Sequence, residues 1–144
     1  QDMQGEPGSD RRILDVLTRF KVRFMSKDTN ANTITHYVGT TLKYVKRVVK
    51  ALEEEFPNAE VSTRKVALVS ACGSDMKVPG ILARSVKALA DKEISVLAIH
   101  QCMRQVDIQF VIDEDHYNQA IVALHGALIE PHNHEYAIVA ATTA

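Results

Sequence analysis

The sequence predicts an α+β protein made of two copies of one βαββαβ module, each a four-stranded antiparallel sheet with two helices on one face. Three observations predict it. A co-linear series of matches recurs at spacings of 72 to 74 residues over about two-thirds of the 144-residue chain. Apolar residues alternate with period two in short runs and recur at helical spacing in longer ones. Gly, Pro, Asn and Asp fall between those runs, where turns are needed.

The repeat can be followed residue by residue. Pro7-Gly8 recurs as Pro79-Gly80, and Asp2-Met3 is echoed by Asp75-Met76. Leu14 and Leu17 map onto Val86 and Leu89, and Val22, Phe24 and Ser26 onto Ile94, Val96 and Ala98. Ile34 and Val38 map onto Ile108 and Ile112, and Val45, Val48, Val49, Leu52 and Phe56 onto Tyr117, Ala120, Ile121, Leu124 and Leu128. The small changes of offset fall at turns, where insertions cost little.

In the second copy, residues 66–71 (VALVSA) read as a strand, and Pro79 starts a helix carrying the stripe Leu82, Val86, Leu89. Residues 94–99 and 106–112 read as the next two strands. Asp113-Glu114-Asp115 then places acid at the start of a helix running to about Leu128, which suits its dipole. Pro131 stops that helix, and residues 136–139 read as a last strand. The first copy reads as helix 10–20, strands 22–26 and 33–38, helix 41–56 and strand 60–63. Its leading strand would fall before residue 1, so the chain is expected to begin inside a longer protein. The expected modules are residues 1–64, lacking the leading strand, and 65–144.

Composition bounds the function. Seventeen Lys and Arg stand against 18 Asp and Glu, which gives no chain-wide attraction for nucleic acid or an anionic membrane. No apolar run approaches the ~20 residues that cross a bilayer. An RNA-recognition sheet needs stacking aromatics on its central strands, and only Tyr37 and Phe110 are offered there. Neither nucleic acid nor membrane is an expected partner. Cys72 and Cys102 lack metal-ligand spacing and read as two buried, reduced thiols of a cytoplasmic chain.

Catalytic signatures are missing: there is no GxxxxGK[ST], no GxGxxG after a strand, no HExxH and no GxSxG. The six histidines follow no familiar zinc spacing, so no metal site is expected. Glu53-Glu54-Glu55 reads as the solvated end of an amphipathic helix, and His100 with Cys102 lacks a group to orient the imidazole. What remains is the pair of loops entering the first helix of each module, residues 2–8 and 73–80. Each ends in Pro-Gly, where free backbone N–H groups can hold a carboxylate. Beside the first loop lies the turn Asp28-Thr29-Asn30-Ala31-Asn32, dense in small hydrogen-bonding side chains.

Duplicated βαββαβ modules with such a loop resemble the ACT domains, ferredoxin-like amino-acid-sensing modules of metabolic enzymes. The closest similarity is to the tandem ACT pair of aspartokinase regulatory regions. It is carried by Gly73 through Gly80, Ala83-Arg84, Ile99-His100-Gln101 and Gln109-Phe110-Val111-Ile112. The resemblance implies an end-product amino acid, lysine first and threonine second, bound for feedback control in a homodimer. The alternative is an ACT-type regulatory or dimerisation module of another amino-acid biosynthetic enzyme. It places the effector at Met3, Glu6, Gly8, Ser9, Asp10, Phe24, Met25, Thr29 and Asn30. A lysine ammonium would need Asp2, Glu6, Asp10 or Asp28. The resemblance further implies that a catalytic kinase domain, with its ATP and magnesium, lies upstream and that this chain holds no cofactor and no catalytic residue. Met103-Arg104-Gln105 departs from the Ser-Glu of many relatives, and Asp28-Thr29-Asn30 from the Thr-Thr-Ser-Glu of lysine-sensitive ones.

Overall fold

A computed structural model describes residues 7–30, 32–74 and 76–129. The chain divides between Thr63 and Arg64 into two compact units. Each has its own core.

In the first unit, helix α1 (Ser9–Arg19) is followed by strands β1 (Phe24–Thr29) and β2 (Ile34–Val38) and helix α2 (Leu42–Glu55). β1 and β2 form an antiparallel hairpin in which Lys27 lies opposite His36 and Thr29 opposite Ile34. One face is apolar: Ile34 and Val38 pack with Ile13, Val16 and Leu17 of α1 and Val48 of α2. Arg12 fastens the two helices, donating from Nε to Glu55 Oε1 at 2.8 Å while its guanidinium covers the Phe56 ring at 4.3 Å. Glu55 is therefore half-buried and paired, rather than part of a fully solvated acidic run.

The second unit holds β3 (Ala67–Cys72), α3 (Ile81–Ala90), β4 (Val96–Gln101), β5 (Asp107–Ile112), a 3₁₀ turn over Glu114–His116 and α4 (Tyr117–Leu128). Its sheet has the order β3-β5-β4, antiparallel throughout. Val69, Ile108, Phe110 and Ile112 meet Leu89 of α3 and Ala120 and Leu124 of α4 on one face. Leu89 and Phe110 are fully buried, each worth ~1.5–3 kcal/mol of transfer free energy. The start of α4 behaves as its sequence implies. Asp113 Oδ1 accepts the Asp115 N–H, and that bond, followed by Arg64 at 3.2 Å, holds the Asp113 carboxyl below its usual range. The described architecture is the α+β arrangement expected, with helices on one face of an antiparallel sheet.

The duplication is visible in the backbone itself. Gly8 (φ 89°, ψ 5°) and Gly80 (φ 84°, ψ −2°) occupy the same left-handed N-cap conformation. At the far ends of α1 and α3, Lys21 (φ 55°) and Glu93 (φ 57°) both adopt the left-handed conformation. The next N–H closes each helix: Val22 bonds Leu17 O at 2.9 Å and Ile94 bonds Leu89 O at 3.0 Å. Both middle hairpins interrupt their register at matching points, between Phe24 and Ser26 and between Val96 and Ala98.

Several expectations are corrected. The first strand runs over Phe24–Thr29 and not 22–26, because Val22 is consumed in closing α1. Residues 60–63 form no strand, since β1 and β2 pair only with each other and leave that stretch no ladder to join. Cys72 and Cys102 are free but exposed, not buried. Val69 and Ala71 face the core, so alternation turns Cys72 to the other side, and Cys102 lies just past the end of β4. Phe110 is wholly buried, so it offers no base a stacking surface. The expected strand 136–139 lies outside the described residues.

Candidate functional site

The loop into α1 and the facing hairpin build one cluster of polar groups in the first unit. Gly8 caps α1, and its carbonyl accepts the Arg12 N–H at 3.1 Å. Ser9, the first helical residue, is 6% exposed. Asp10 follows in the first turn and reaches the hairpin. Its Oδ2 accepts from Lys27 Nζ at 2.5 Å, and its Oδ1 lies 3.9 Å from His36 Nε2. The His36 side chain is 8% exposed, and the Phe24 ring meets it edge-on at 5.4 Å between centroids.

Two atoms in this cluster are buried without a hydrogen-bond partner, Asp10 Oδ1 and His36 Nε2. Such atoms are costly to leave unsatisfied. Burial holds the His36 imidazole below its usual pKa; the Asp10 carboxylate opposes that shift and Lys27 adds to it. Neutral imidazole is thus the favoured form.

The second module shows how unusual this is. By the repeat offsets, Asp10, Lys27 and His36 correspond to Leu82, Ile99 and Phe110. The ladders agree, because Lys27 pairs with His36 as Ile99 pairs with Phe110. Leu82 and Phe110 are part of the second unit's apolar core. The same fold positions are therefore apolar in one copy and carry an acid, a lysine and a histidine in the other. The fold does not require that substitution, which makes the trio the candidate site of the first unit.

The remaining expected residues sort by face. Thr29 is on the Lys27 face of β1, and Met25 is the extra residue at the register shift, 60% exposed. Asn30 shapes its own turn, accepting through Oδ1 from the N–H groups of Asn32 at 3.0 Å and Thr33 at 2.9 Å. Asp28 faces away from Asp10 and accepts from the Tyr37 hydroxyl at 2.6 Å. Met3, Glu6 and Asp2 lie outside the described residues. Lys27 and His36 were not among the residues expected at the site. A histidine between Ile34 and Val38 on an apolar strand face was the available signal, as was its match to Phe110.

The matching loop of the second unit is tied down by its own residues. Gly73 N–H bonds Val106 O at 2.9 Å and Met76 N–H bonds Gln105 O at 3.1 Å, while Met76 is buried in the core. Gln101 lines a shallow cleft there with Pro79 and Gly80, and among the described residues no acid does.

The fold, with its paired helix-entry loops, is of the ACT class, and residues 69–128 match the ACT domain family. Over 141 residues the chain is 49% identical to aspartate kinase Ask_Ect of Stutzerimonas stutzeri (strain A1501), covering 98% of this chain and 30% of that protein. Aspartate kinase of Clostridium acetobutylicum superposes with a TM-score of 0.81 at 18% identity, over 88% of this chain and 30% of that one. The regulatory subunit of aspartate kinase from Thermus flavus gives 0.72 at 16% identity, over 88% and 87%. E. coli aspartokinase III, solved with lysine and aspartate, gives 0.66 at 16% identity, over 89% and 29%. The chain belongs with the ACT regulatory regions of the aspartate kinase family, and it spans 30% of the length of the curated relative it matches.

Proposed function

We propose that this chain is the effector-sensing part of an aspartate kinase, binding an end-product amino acid at the start of α1 for feedback control of aspartate-family amino-acid synthesis. The observation that carries the reading is the polar trio Asp10, Lys27 and His36, standing where the second module is apolar. The N–H groups of the α1 entrance suit the effector carboxylate. Thr29, on the same face of the hairpin, supplies an oxygen for the α-ammonium. The kinase reaction, with its ATP and magnesium, belongs to the parent protein, which we take to be a cytoplasmic homodimer through these modules.

Of lysine and threonine, the geometry favours threonine. Asp10 Oδ2 already holds the Lys27 ammonium at 2.5 Å, so a lysine side chain would have to displace it. A hydroxyl both donates and accepts, which suits the gap of 3.9 Å between Asp10 Oδ1 and His36 Nε2. Calorimetric titration of the chain with each amino acid tests this. Threonine heat that saturates, and disappears in Asp10→Leu, supports the reading. Saturating lysine binding that survives Asp10→Leu would refute it. The same variant in the parent kinase should relieve feedback inhibition.

A further inference from the structure

Near the opposite end of α1 lies a second feature, which does not rest on the effector reading. Arg19, Phe20, Lys21, Thr40, Tyr44 and Arg47 line a cleft of about 290 Å³. The Arg47 guanidinium carbon stands 5.2 Å from the Phe20 ring centre and 5.9 Å from that of Tyr44. A guanidinium held by aromatic rings makes no hydrogen bond to them, so its N–H donors can serve an oxyanion.

The charge of the cleft is uncompensated. Among the described residues, no carboxylate lies within ion-pair distance of Arg19, Lys21 or Arg47. Residues 19–50 contain eight Lys or Arg and one acid, so the basic charge is concentrated there although the chain totals balance. A helix C-terminus ordinarily repels anions through its open carbonyls. Here those carbonyls are engaged: Val16, Leu17 and Thr18 accept from Phe20, Val22 and Lys21.

The duplicate provides the comparison again. Arg19, Lys21 and Arg47 correspond to Asp91, Glu93 and Gln119 in the second module, which closes the same helix with the same backbone turn. Packing therefore does not call for the cations. We propose that this cleft binds a small phosphorylated solute, with Arg47 presenting its planar edge to the phosphate and Arg19 and Lys21 balancing the second negative charge. The size of the cleft suits a phosphate with a short organic body rather than a whole nucleotide.

The test is calorimetry of the full chain at fixed ionic strength with inorganic phosphate, pyrophosphate and phosphoserine. Phosphoserine should bind saturably and be competed by inorganic phosphate, which separates recognition of the phosphate group from recognition of the organic body. Arg47→Gln should weaken binding at least about tenfold, the size of one charge-assisted bond, and Arg47→Lys should lose part of it. Arg104→Gln, in the second unit, should leave it unchanged. Circular dichroism checks the fold; if Arg47→Gln melts early, Arg19→Gln carries the same expectation. Failure of all three phosphates to saturate at about 10 mM, roughly the weakest affinity worth calling a site, would overturn the proposal. So would equal weakening in Arg104→Gln, or binding of single-stranded RNA without phosphoserine binding.

Discussion

Asp10 Oδ1 and His36 Nε2 face each other across 3.9 Å, both buried and neither hydrogen-bonded, while the other oxygen of Asp10 holds Lys27. A part-exposed carboxylate and ammonium thus meet a buried imidazole, and the free energy of the cluster depends on which of them is charged. Protonation of His36 would add a second cation beside Lys27 in a place with one anion.

The pH dependence follows. The folded-state pKa of His36 lies below the reference value of 6.5, so as pH falls the unfolded chain takes up the proton first. The stability contributed by this imidazole is complete above about pH 6.5 and is lost as pH falls through the folded pKa. Urea midpoints at pH 7.5 and 5.0 should therefore drop further in the wild type than in His36→Phe. Asp10→Asn removes the one opposing influence and should push the His36 titration lower still, read by imidazole NMR. A shift to higher pKa in Asp10→Asn would contradict this account.

Making the first site resemble the second module should separate stability from function. The triple change Asp10→Leu, Lys27→Ile, His36→Phe replaces a part-exposed ion pair and a buried imidazole with apolar groups. A solvent-screened pair is worth at most about 1 kcal/mol, and removing buried polar atoms that lack a hydrogen bond offsets that loss. We expect unfolding free energy to hold or rise while effector heat vanishes. A poorly folded triple variant would mean that the polar trio is structural.

Thr29→Ala should weaken effector binding about tenfold or more through loss of one bond to a charged group. Gln101→Ala, in the second unit's cleft, should change it little. The reverse pattern in calorimetry would move the effector to the second module.

The Tyr37 hydroxyl is raised to about 12, first by burial and then by its bond to Asp28 at 2.6 Å. A raised acid contributes stability that is intact below about pH 10 and is lost as pH climbs from there towards 12. An ultraviolet titration should show a late tyrosine phase near pH 12, and Tyr37→Phe should abolish it.

Lys21 and Glu93 sit in the left-handed region, which costs a non-glycine residue ~1–2 kcal/mol, part of it offset by the greater unfolded freedom of glycine. Lys21→Gly and Glu93→Gly should each raise stability by about 0.5–1 kcal/mol in denaturant melts. Gly8→Ala and Gly80→Ala should lower it by a similar amount. An added Cβ meets nothing within 4 Å at either glycine, so backbone strain alone is at work.

The architecture was legible because it is written twice. Each copy supports the reading of the other, and helix stripes such as Leu82, Val86 and Leu89 translate directly into packing. The strand expected at 22–26 slipped because Val22 looks like a strand residue and its use in closing α1 depends on a left-handed Lys21 that composition does not announce. At the site, Gly8, Ser9, Asp10 and Thr29 came from the resemblance to ACT domains, with loop chemistry pointing to the Pro7-Gly8 entrance and the Thr29 turn, whereas Lys27 and His36 were passed over. A polar residue on a strand reads as solvent-facing until its register is known. Here the register shift at Met25 changes which residues of β1 share a face.

That shift at Met25 has a consequence for how the site is built. Phe24 and Lys27 are three residues apart, so an unbroken strand would place them on opposite sides of the sheet. One surplus residue brings both to the same imidazole. The second module carries its surplus residue at Leu97, and there Val96 packs on the apolar core while Ile99, the counterpart of Lys27, is 40% exposed. The bulge is thus common to both copies. At the strand position it sets opposite a buried ring, one copy carries an aliphatic side chain and the other an ammonium that meets Asp10.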